Sequence, residues 1–212
     1  MKEDFKKIRH EYNQKELRKK DMHEDPFVQF EHWFKNALEH QIPDANAMTL
    51  STVSKVGRPS GRILLLKDFN EKGFCFFTNY KSRKGDDLKH NPYASMVFFW
   101  PELEQQIRIE GKIEKVDLAK SNEYFYDRPV GSRIAAAISP QSQKIKNRAF
   151  LDNLYSDFKN KHEGDFPKPD FWGGYILIPD LFEFWQGRSN RLNDRIEYFL
   201  ENSHWKTRRL AP

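Results

Sequence analysis

Hydrophobic and polar residues alternate over short stretches of this chain, and turn residues separate the stretches. Between residues 105 and 116, for example, Ile107, Ile109 and Ile113 fall on one side of the alternation, as in a half-buried strand. Because the connections are short, we expect antiparallel pairing and a mainly β fold, a barrel-like sheet with peripheral helices. The predicted strands are 48–54, 62–67, 74–79, 94–100, 105–116, 172–178, 181–187, 191–199 and 205–210.

Three other segments repeat hydrophobic residues at helical spacing. Pro26 precedes an aromatic stripe over residues 27–38, which predicts a helix whose aromatic side chains pack in the core. Residues 117–127 predict a second helix, which the following Arg-Pro pair ends. Residues 151–158 mark a third helix.

The composition indicates a globular protein rich in aromatic residues. A chain of 212 residues can bury one hydrophobic core, although 32% of the residues are charged and the mean hydropathy is −0.87. Residues 1–22 are charged and have little to bury, so we expect an N-terminal arm followed by one domain over 23–212. The net charge of +5 fits binding to nucleic acid, a membrane surface or a small anionic ligand, and its spread along the chain argues against nucleic acid.

The cysteine and motif content narrows the class further. Cys75, the only cysteine, lies in the apolar run 74–77 and is expected to be a buried structural thiol. The sequence shows neither a signal peptide nor an apolar run that could span a membrane, so we expect a cytoplasmic protein. Dinucleotide-binding, P-loop, paired-cysteine and zinc-binding motifs are absent, and the seven histidines lack metal-ligand spacing, so no metal is expected.

Two groups of residues could bind a phosphate without a glycine-rich loop. Arg62 and Lys67, at opposite ends of a predicted strand, join Ser82-Arg83-Lys84, where Ser82 is a plausible helix N-cap. Tyr124 and Arg128 are four residues apart on a helical face, and Ser132 follows on a predicted loop. Each pattern also fits an ordinary solvated strand end or helix end.

A third group could contact a polar ring. Arg191, Asn193 and Arg195 alternate, so on the predicted strand 191–199 they share one face, close in sequence to Trp185 and Gln186. A solvated hairpin edge would give the same pattern.

Several motifs, in the same order along the chain, closely resemble the pyridoxine/pyridoxamine 5′-phosphate oxidase family. They cover nearly the whole chain, which makes the resemblance specific. These motifs are Arg9-His10-Glu11-Tyr12, Arg62 to Lys67, Thr78-Asn79 with Ser82-Arg83-Lys84, Gln141-Ser142, Trp172-Gly173-Gly174-Tyr175, Glu183 to Gly187, Arg191-Leu192 with Asp194-Arg195, and Arg209 to Pro212.

The resemblance implies an antiparallel split β-barrel that binds FMN at the interface of a homodimer. The residues implied to line the flavin are Arg62, Ile63, Leu64, Leu65, Leu66, Lys67, Phe77, Thr78, Ser82, Arg83, Lys84, Gln106, Gln141, Ser142, Trp185 and Arg195. The substrate phosphate would be held by Lys67, Tyr124, Arg128 and Ser132, and the pyridine ring would be addressed by Arg191, Leu192 and Asn193. Arg9, His10, Glu11 and Tyr12 would lie over the substrate.

The implied reaction is oxidation of the C4′ position of pyridoxine or pyridoxamine 5′-phosphate, with FMN as cofactor and O2 as electron acceptor. The implied catalytic residues are Arg191 and Asn193, and at Asn193 the chain departs from the family's usual Arg-Leu-His-Asp-Arg motif. Asparagine keeps a hydrogen-bond donor and an acceptor but cannot ionise. Two alternatives remain open: a related split-barrel flavin oxidase with another substrate, such as those of phenazine biosynthesis, and a non-catalytic binder of FMN or pyridoxal phosphate.

Overall fold

The computed structural model describes residues 11–12, 15–162 and 164–212. In this part of the chain the strands are β1 Ala47–Val53, β2 Pro59–Leu65, β3 Asp68–Asn70, β4 Gly73–Asn79, β5 Tyr93–Trp100, β6 Gln105–Lys115, β7 Trp172–Gln186, β8 Asp194–Glu201 and β9 His204–Leu210. The α-helices are α1 Pro26–Glu39, α2 Arg83–His90, α3 Leu118–Asp127, α4 Val130–Ile138 and α5 Arg148–His162. Short 3₁₀ helices lie at Lys19–Asp21, Pro101–Leu103 and Ser189–Arg191. None of these helices is long and apolar enough to cross a membrane.

The strands follow the order β2-β1-β5-β6-β7-β4-β3, and β8 pairs with both β7 and β9. The pairs β3–β4, β4–β7, β7–β8 and β8–β9 are all antiparallel. The predicted mainly β, antiparallel class is therefore confirmed, with the helices inserted between the strands along the chain.

The described residues form two compact units, one made of those up to Thr49 with Ser95–Glu110 and Pro179–Pro212, the other of those in Leu50–Ala94 and Gly111–Ile178. In the first unit, the Asp25 side chain caps α1 by accepting a hydrogen bond from the Phe27 amide at 2.8 Å. The predicted aromatic stripe is confirmed, because Phe30 and Trp33 are buried and Trp33 packs edge-on against Phe184. The division into an arm of residues 1–22 and a single domain stays a prediction.

The second unit contains β2, β3 and β4, together with α2 to α5. Strand β4 pairs with the first half of β7, from Phe74 opposite Leu177 to Asn79 opposite Trp172. Cys75 is a free cysteine, fully buried in β4 as predicted, and its sulfur accepts a hydrogen bond from Lys120 Nζ at 3.6 Å. Burial raises the pKa of its thiol. A separate cluster is formed by Phe125 of α3, Ile134 of α4, Phe166 and Trp172.

Two predicted boundaries along the main chain are wrong. The strands predicted at 172–178 and 181–187 are one strand, β7. Pro179 interrupts the sequence pattern because proline has no amide hydrogen to donate to a neighbouring strand. It is tolerated between the β7 residues that pair with β4 and those that pair with β8, since neither pairing uses an amide at that position. The loop predicted after Pro129 is helix α4, because a proline that cannot continue one helix is well suited to start the next.

The strand placement of three predicted site residues also needs correction. Arg62 lies in the middle of β2, and Lys67 follows the end of that strand, so they do not mark its two ends. Strand β8 begins at Asp194, so Arg191 and Asn193 precede it and do not share a strand face with Arg195. Arg191 instead has a left-handed backbone (φ 61°), which is incompatible with an extended strand.

Candidate cofactor and substrate site

A cavity of about 630 Å³ opens in the second unit, and it brings together residues from both predicted phosphate groups. Lys67, Tyr124, Arg128 and Ser132, the four residues predicted to hold the substrate phosphate, all line it. The predicted flavin residues Ile63, Leu64, Leu65, Lys67, Phe77, Thr78 and Gln141 line the same cavity. Sequence segments more than 70 residues apart therefore meet at one place.

Three aromatic rings form one wall of this cavity. Phe77 of β4 stacks on Tyr124 of α3 with ring centroids 4.0 Å apart, and Trp172 of β7 is stacked 5.7 Å from Phe77. Gly174 permits this arrangement, since a Cβ there would lie 2.7 Å from the Phe77 ring. Such a wall suits a flat ring system, which it can contact by stacking.

Arg128 supplies an unpaired cationic donor to the cavity. Its guanidinium lies 4.9 Å from the centre of the Trp172 ring, and its buried Nη1 has no hydrogen-bond partner among the described residues. Burial lowers the pKa of Arg128, and nearby Tyr124 opposes that shift. Because a buried donor without an acceptor is costly, this geometry indicates a place for an anionic ligand.

Ser132 and Lys67 complete this end of the cavity. Ser132 lies in the first turn of α4, where its amide donates to the Pro129 carbonyl at 2.9 Å. A helix N-terminus carries a partial positive charge and favours an anion. The Lys67 amide donates to the Cys75 carbonyl at 2.9 Å, which fixes the backbone while the lysine side chain stays exposed.

Lys84 forms the centre of a second cationic group. Its buried Nζ donates to Thr78 Oγ1 and Gln141 Oε1, both at 3.1 Å, and lies 3.3 Å from Ser82 Oγ. Ser82 is the N-cap of α2, as predicted, and accepts from the Gly85 amide. Burial, and then the neighbouring Arg62 charge, lower the pKa of Lys84 to about 8.

Two further cations stand close to Lys84. Arg62 donates to the Leu50 carbonyl, to Thr52 Oγ1 and to Ser60 Oγ. Burial lowers the pKa of Arg62, the Asp87 carboxylate 3.9 Å away opposes this, and the Arg83 charge adds to it. Arg62, Arg83 and Lys84 thus form a group whose positive charges repel one another. Among the described residues, the buried carboxylate beside them is that of Asp87. Such a donor set fits a phosphate dianion, which would relieve their mutual repulsion.

The remaining predicted site residues lie in the first unit. Trp185 is half-buried, and the Tyr12 ring meets it edge-on at 5.5 Å. Arg195 is held by the buried Glu183 carboxylate, through Nε at 2.8 Å and Nη2 at 3.0 Å, and Nη1 donates to the Ala211 carbonyl. Burial would raise the pKa of Glu183, but hydrogen bonds from Arg195 and Arg108 keep it below its ordinary value.

Matches to known proteins decide the family. The model for pyridoxamine 5′-phosphate oxidase matches residues 34–153, and the model for the C-terminal dimerisation region of pyridoxine 5′-phosphate oxidase matches 172–212. Pyridoxine/pyridoxamine 5′-phosphate oxidases of Nostoc sp. and Haemophilus influenzae are 48% and 49% identical over 97% of this chain, covering 97% and 98% of theirs. The chain belongs to the pyridoxine/pyridoxamine 5′-phosphate oxidase family. The predicted family and enzyme class are thus confirmed.

Solved structures confirm the split-barrel fold of this oxidase family. PhzG from Burkholderia lata, crystallised with tetrahydrophenazine-1-carboxylic acid, is 28% identical, with a TM-score of 0.87 over 93% of this chain and 98% of its own. An FMN-binding protein from Nostoc punctiforme, described as related to pyridoxamine 5′-phosphate oxidase, is 18% identical, with a TM-score of 0.70 over 86% of this chain and 97% of its own. The second likeness shows the fold alone.

The structure places the other predicted residues of the oxidase site as follows. Leu66 is buried beneath the cavity-lining segment, whereas Arg83 and Ser142 are exposed, Ser142 with a left-handed backbone. Gln106 is half-buried, whereas Leu192 and Glu11 are exposed. Arg9 and His10 lie outside the described residues.

Several cavity residues are not identified by the sequence pattern. The sequence pattern predicts Trp172 only as a strand residue, although it lines the cavity. Its place in the Trp-Gly-Gly-Tyr motif was the signal that could have marked it as a site residue. Ala135, Ala136 and Ser139 belong to or follow α4, which the pattern does not predict; the Ile-Ala-Ala-Ala run favours a helix there.

Proposed function

We propose that this chain oxidises the C4′ carbon of pyridoxamine or pyridoxine 5′-phosphate, giving pyridoxal 5′-phosphate, with FMN as cofactor and O2 as electron acceptor. The observation that carries the proposal is the cavity that joins the aromatic wall to Arg128. Its lining residues Thr78 and Gln141 also contact Lys84, the centre of the second cationic group. A cofactor and a substrate that each bear one phosphate account for both groups.

We assign the FMN phosphate to the group around Lys84. Arg62, Arg83 and Lys84 supply positive charge there, and Ser82 and Gln141 contact Lys84. We add the exposed Ser142, which follows Gln141, as a further polar contact to the phosphate. The segment 63–66, Phe77 and Thr78 would lie along the flavin. Gln106, Trp185 and Arg195 complete the proposed flavin contacts, and the ion pair with Glu183 holds the Arg195 guanidinium in place.

We assign the substrate phosphate to Lys67, Tyr124, Arg128 and Ser132. The unpaired Nη1 of Arg128 gains an acceptor when that phosphate binds, which removes the cost of the buried donor. The phosphate anchors one end of the substrate, and Arg191 and Asn193, with Leu192 and the segment 9–12, orient the ring. When bound, FMN would supply the redox chemistry as a two-electron acceptor, with O2 as the final acceptor reduced to H2O2. Oxidation of the alcohol gives the aldehyde directly, whereas oxidation of the amine gives an imine that water hydrolyses with release of ammonia. The protein contributes position and electrostatic complementarity.

The first test is anaerobic addition of pyridoxamine 5′-phosphate to the yellow holoenzyme. We expect the visible flavin absorbance to bleach and to return when O2 is admitted, because only a substrate that gives electrons to the flavin removes its colour. Unphosphorylated pyridoxamine at the same concentration should bleach it far more slowly. Tight binding of the phosphorylated amine without bleaching would instead identify a non-catalytic binder.

A related flavin oxidase with a different substrate is the second candidate. The TM-score of 0.87 with PhzG favours it as an alternative. The cavity residues Lys67, Tyr124, Arg128 and Ser132 argue against it, since an unphosphorylated substrate would not need four residues suited to a phosphate. Equal bleaching by pyridoxamine and its phosphate would support this second candidate.

We further propose that the protein is a homodimer with FMN at the subunit interface. The match of residues 172–212 to a dimerisation region supports the dimer. Because binding and association are then thermodynamically linked, FMN should be released as the dimer dissociates on dilution. Analytical ultracentrifugation with parallel flavin fluorescence measures both events; a monomer that retains stoichiometric FMN would contradict the interface site.

A further inference from the structure

Asn193 closes a tight turn in the first unit. Its side-chain Oδ1 accepts a hydrogen bond from the Arg188 amide at 3.0 Å, and the Leu192 amide donates to the Ser189 carbonyl at 3.2 Å. We call residues 188–193 the Asn193 turn. Arg191 lies inside it, three residues after Arg188 and two before Asn193.

The backbone of this turn is unfavourable for its sequence. Asn190 and Arg191 both have left-handed backbones, with φ of 57° and 61°, and neither is glycine. Left-handed backbone crowds the Cβ of any L-residue, so surrounding contacts must hold it. The Asn193–Arg188 hydrogen bond spans both residues and is the contact that closes the turn on its C-terminal side.

The residue after Asn193 is fixed independently. Asp194 accepts hydrogen bonds from the Leu17 amide and from Arg209, and lies 3.6 Å from Arg188 Nε. This network anchors the start of β8. The hydrogen bond that Asn193 accepts joins the first residue of the turn to the residue just before that anchor.

We propose that Asn193 is a positioning residue whose δ-position acceptor holds Arg191 in place. This inference rests on the proposed function for the role of Arg191 toward the substrate ring. It also accounts for the departure from the Arg-Leu-His-Asp-Arg motif, because a neutral histidine presents Nδ1 at the same distance along the side chain as asparagine presents Oδ1. What position 193 must supply is then an acceptor, and an ionisable group is not required.

Three variants of the full-length holoenzyme separate the acceptor from other properties of the side chain. Asn193→Leu keeps the shape but removes the acceptor, whereas Asn193→Asp and Asn193→His keep an acceptor. Amide hydrogen exchange at Arg188 reports the turn, and anaerobic stopped-flow reduction by pyridoxamine 5′-phosphate reports positioning. Ser189→Ala serves as a control for the exchange measurement, since it removes only the Ser189–Tyr12 contact.

In Asn193→Leu we expect Arg188 exchange to accelerate about tenfold and the maximal rate of flavin reduction to fall about tenfold, as for one lost hydrogen bond. The substrate dissociation constant should change by less than about threefold, because the phosphate site is intact. Asn193→Asp and Asn193→His at pH 8 keep the acceptor, so Arg188 exchange in them should stay within about threefold of that in the native protein, and flavin reduction should fall less than in Asn193→Leu.

The histidine variant adds a pH test that asparagine cannot show. Protonation turns both imidazole nitrogens into donors, so Arg188 exchange in Asn193→His should accelerate as the pH falls below about 6.5. The charged groups that flank the position are Arg188, Arg191 and Asp194, with Arg209 of β9 paired to Asp194. The native protein should show no such transition in exchange at Arg188 beyond the intrinsic effect of pH.

Two outcomes would overturn the inference. One is native-like exchange and reduction in Asn193→Leu. The other is slow reduction in Asn193→Asp while Arg188 stays protected, which would mean that the asparagine NH2 contacts the substrate itself. If the native protein reduces no flavin at all, the proposed function fails, and the exchange series alone still decides whether Asn193 closes the turn.

Discussion

Arg128→Ala is expected to raise the Michaelis constant for pyridoxamine 5′-phosphate about ten- to a hundredfold. Loss of a charge-assisted hydrogen bond to phosphate costs about 1.5–3 kcal/mol, which corresponds to that range. The native Arg128 has its buried Nη1 free for the ligand and is already desolvated against Trp172, so little is lost when it binds an anion. Steady-state kinetics with the purified holoenzyme measures the effect.

The flavin content of purified Arg128→Ala shows whether the substitution also affects FMN binding, and Arg133→Ala serves as the control variant. Arg133 also has a buried, unpaired Nε, but its guanidinium packs on Tyr126 and Phe166 and does not line the cavity. We expect both variants to keep FMN, and only Arg128→Ala to lose substrate affinity. Loss of the yellow colour with an unchanged Michaelis constant in Arg128→Ala would mean that the two phosphate sites are assigned the wrong way round.

Lys84→Met is expected to weaken FMN about ten- to a hundredfold and riboflavin little. The buried ammonium contacts three side-chain oxygens and no carboxylate, so a phosphate is the partner its charge lacks. Riboflavin has the same ring but no phosphate, and the native protein should therefore bind it far more weakly than FMN. Fluorescence titration of the apoprotein with both flavins gives the comparison.

The pH dependence of FMN affinity follows from the lowered pKa of Lys84, about 8 in the free site. A bound phosphate dianion favours the charged ammonium and raises this pKa, so above pH 8 binding must take up a proton. Affinity should be nearly constant from about pH 6.5 to 7.5, where the phosphate is mainly a dianion, and fall by up to about tenfold per pH unit above 8.

Two controls isolate that ionisation. Lys84→Met should lack the decline above pH 8, and Lys81→Met should retain it, because Lys81 is an exposed lysine on the same turn that lies over the Phe171 ring. An unchanged decline in Lys84→Met would place the titrating group elsewhere. Equal affinity of the native protein for FMN and riboflavin would remove the phosphate assignment altogether.

Much of the fold was accessible from the sequence because its signals are local. The period-two runs predicted most strands to within one or two residues, since alternation directly reports a half-buried strand. The starts of α1 at Pro26 and of α2 after Ser82 were equally readable, because proline suits the first turn of a helix and a cap satisfies amides only two or three residues away. The continuous strand through Pro179 could not be read from the sequence, since whether a proline is tolerated there depends on which partner strands pair at that point.

The candidate site was also predictable only in part, since the sequence named its residues but did not show how they come together. Motif order named Lys67, Tyr124, Arg128 and Ser132 as one group, and the spacing of Tyr124 and Arg128 supported a shared face. Arg128 in fact caps the end of α3 in an extended conformation, and Ser132 begins another helix. Their common cavity arises from the way α3, α4 and β7 pack, not from a single helical face.

Sequence alone determined the family and the antiparallel class, and it named candidate residues for binding phosphates, because these follow from residue type, order and short-range periodicity. Only the tertiary structure decided that Arg128 keeps an unpaired donor, that Lys84 is buried beside Arg62, and that Arg191 sits in a left-handed turn closed by Asn193. Each of these properties depends on desolvation or on a hydrogen bond whose partner is set by the packed chain. A linear pattern specifies neither the solvent that a group loses nor the neighbour that replaces it.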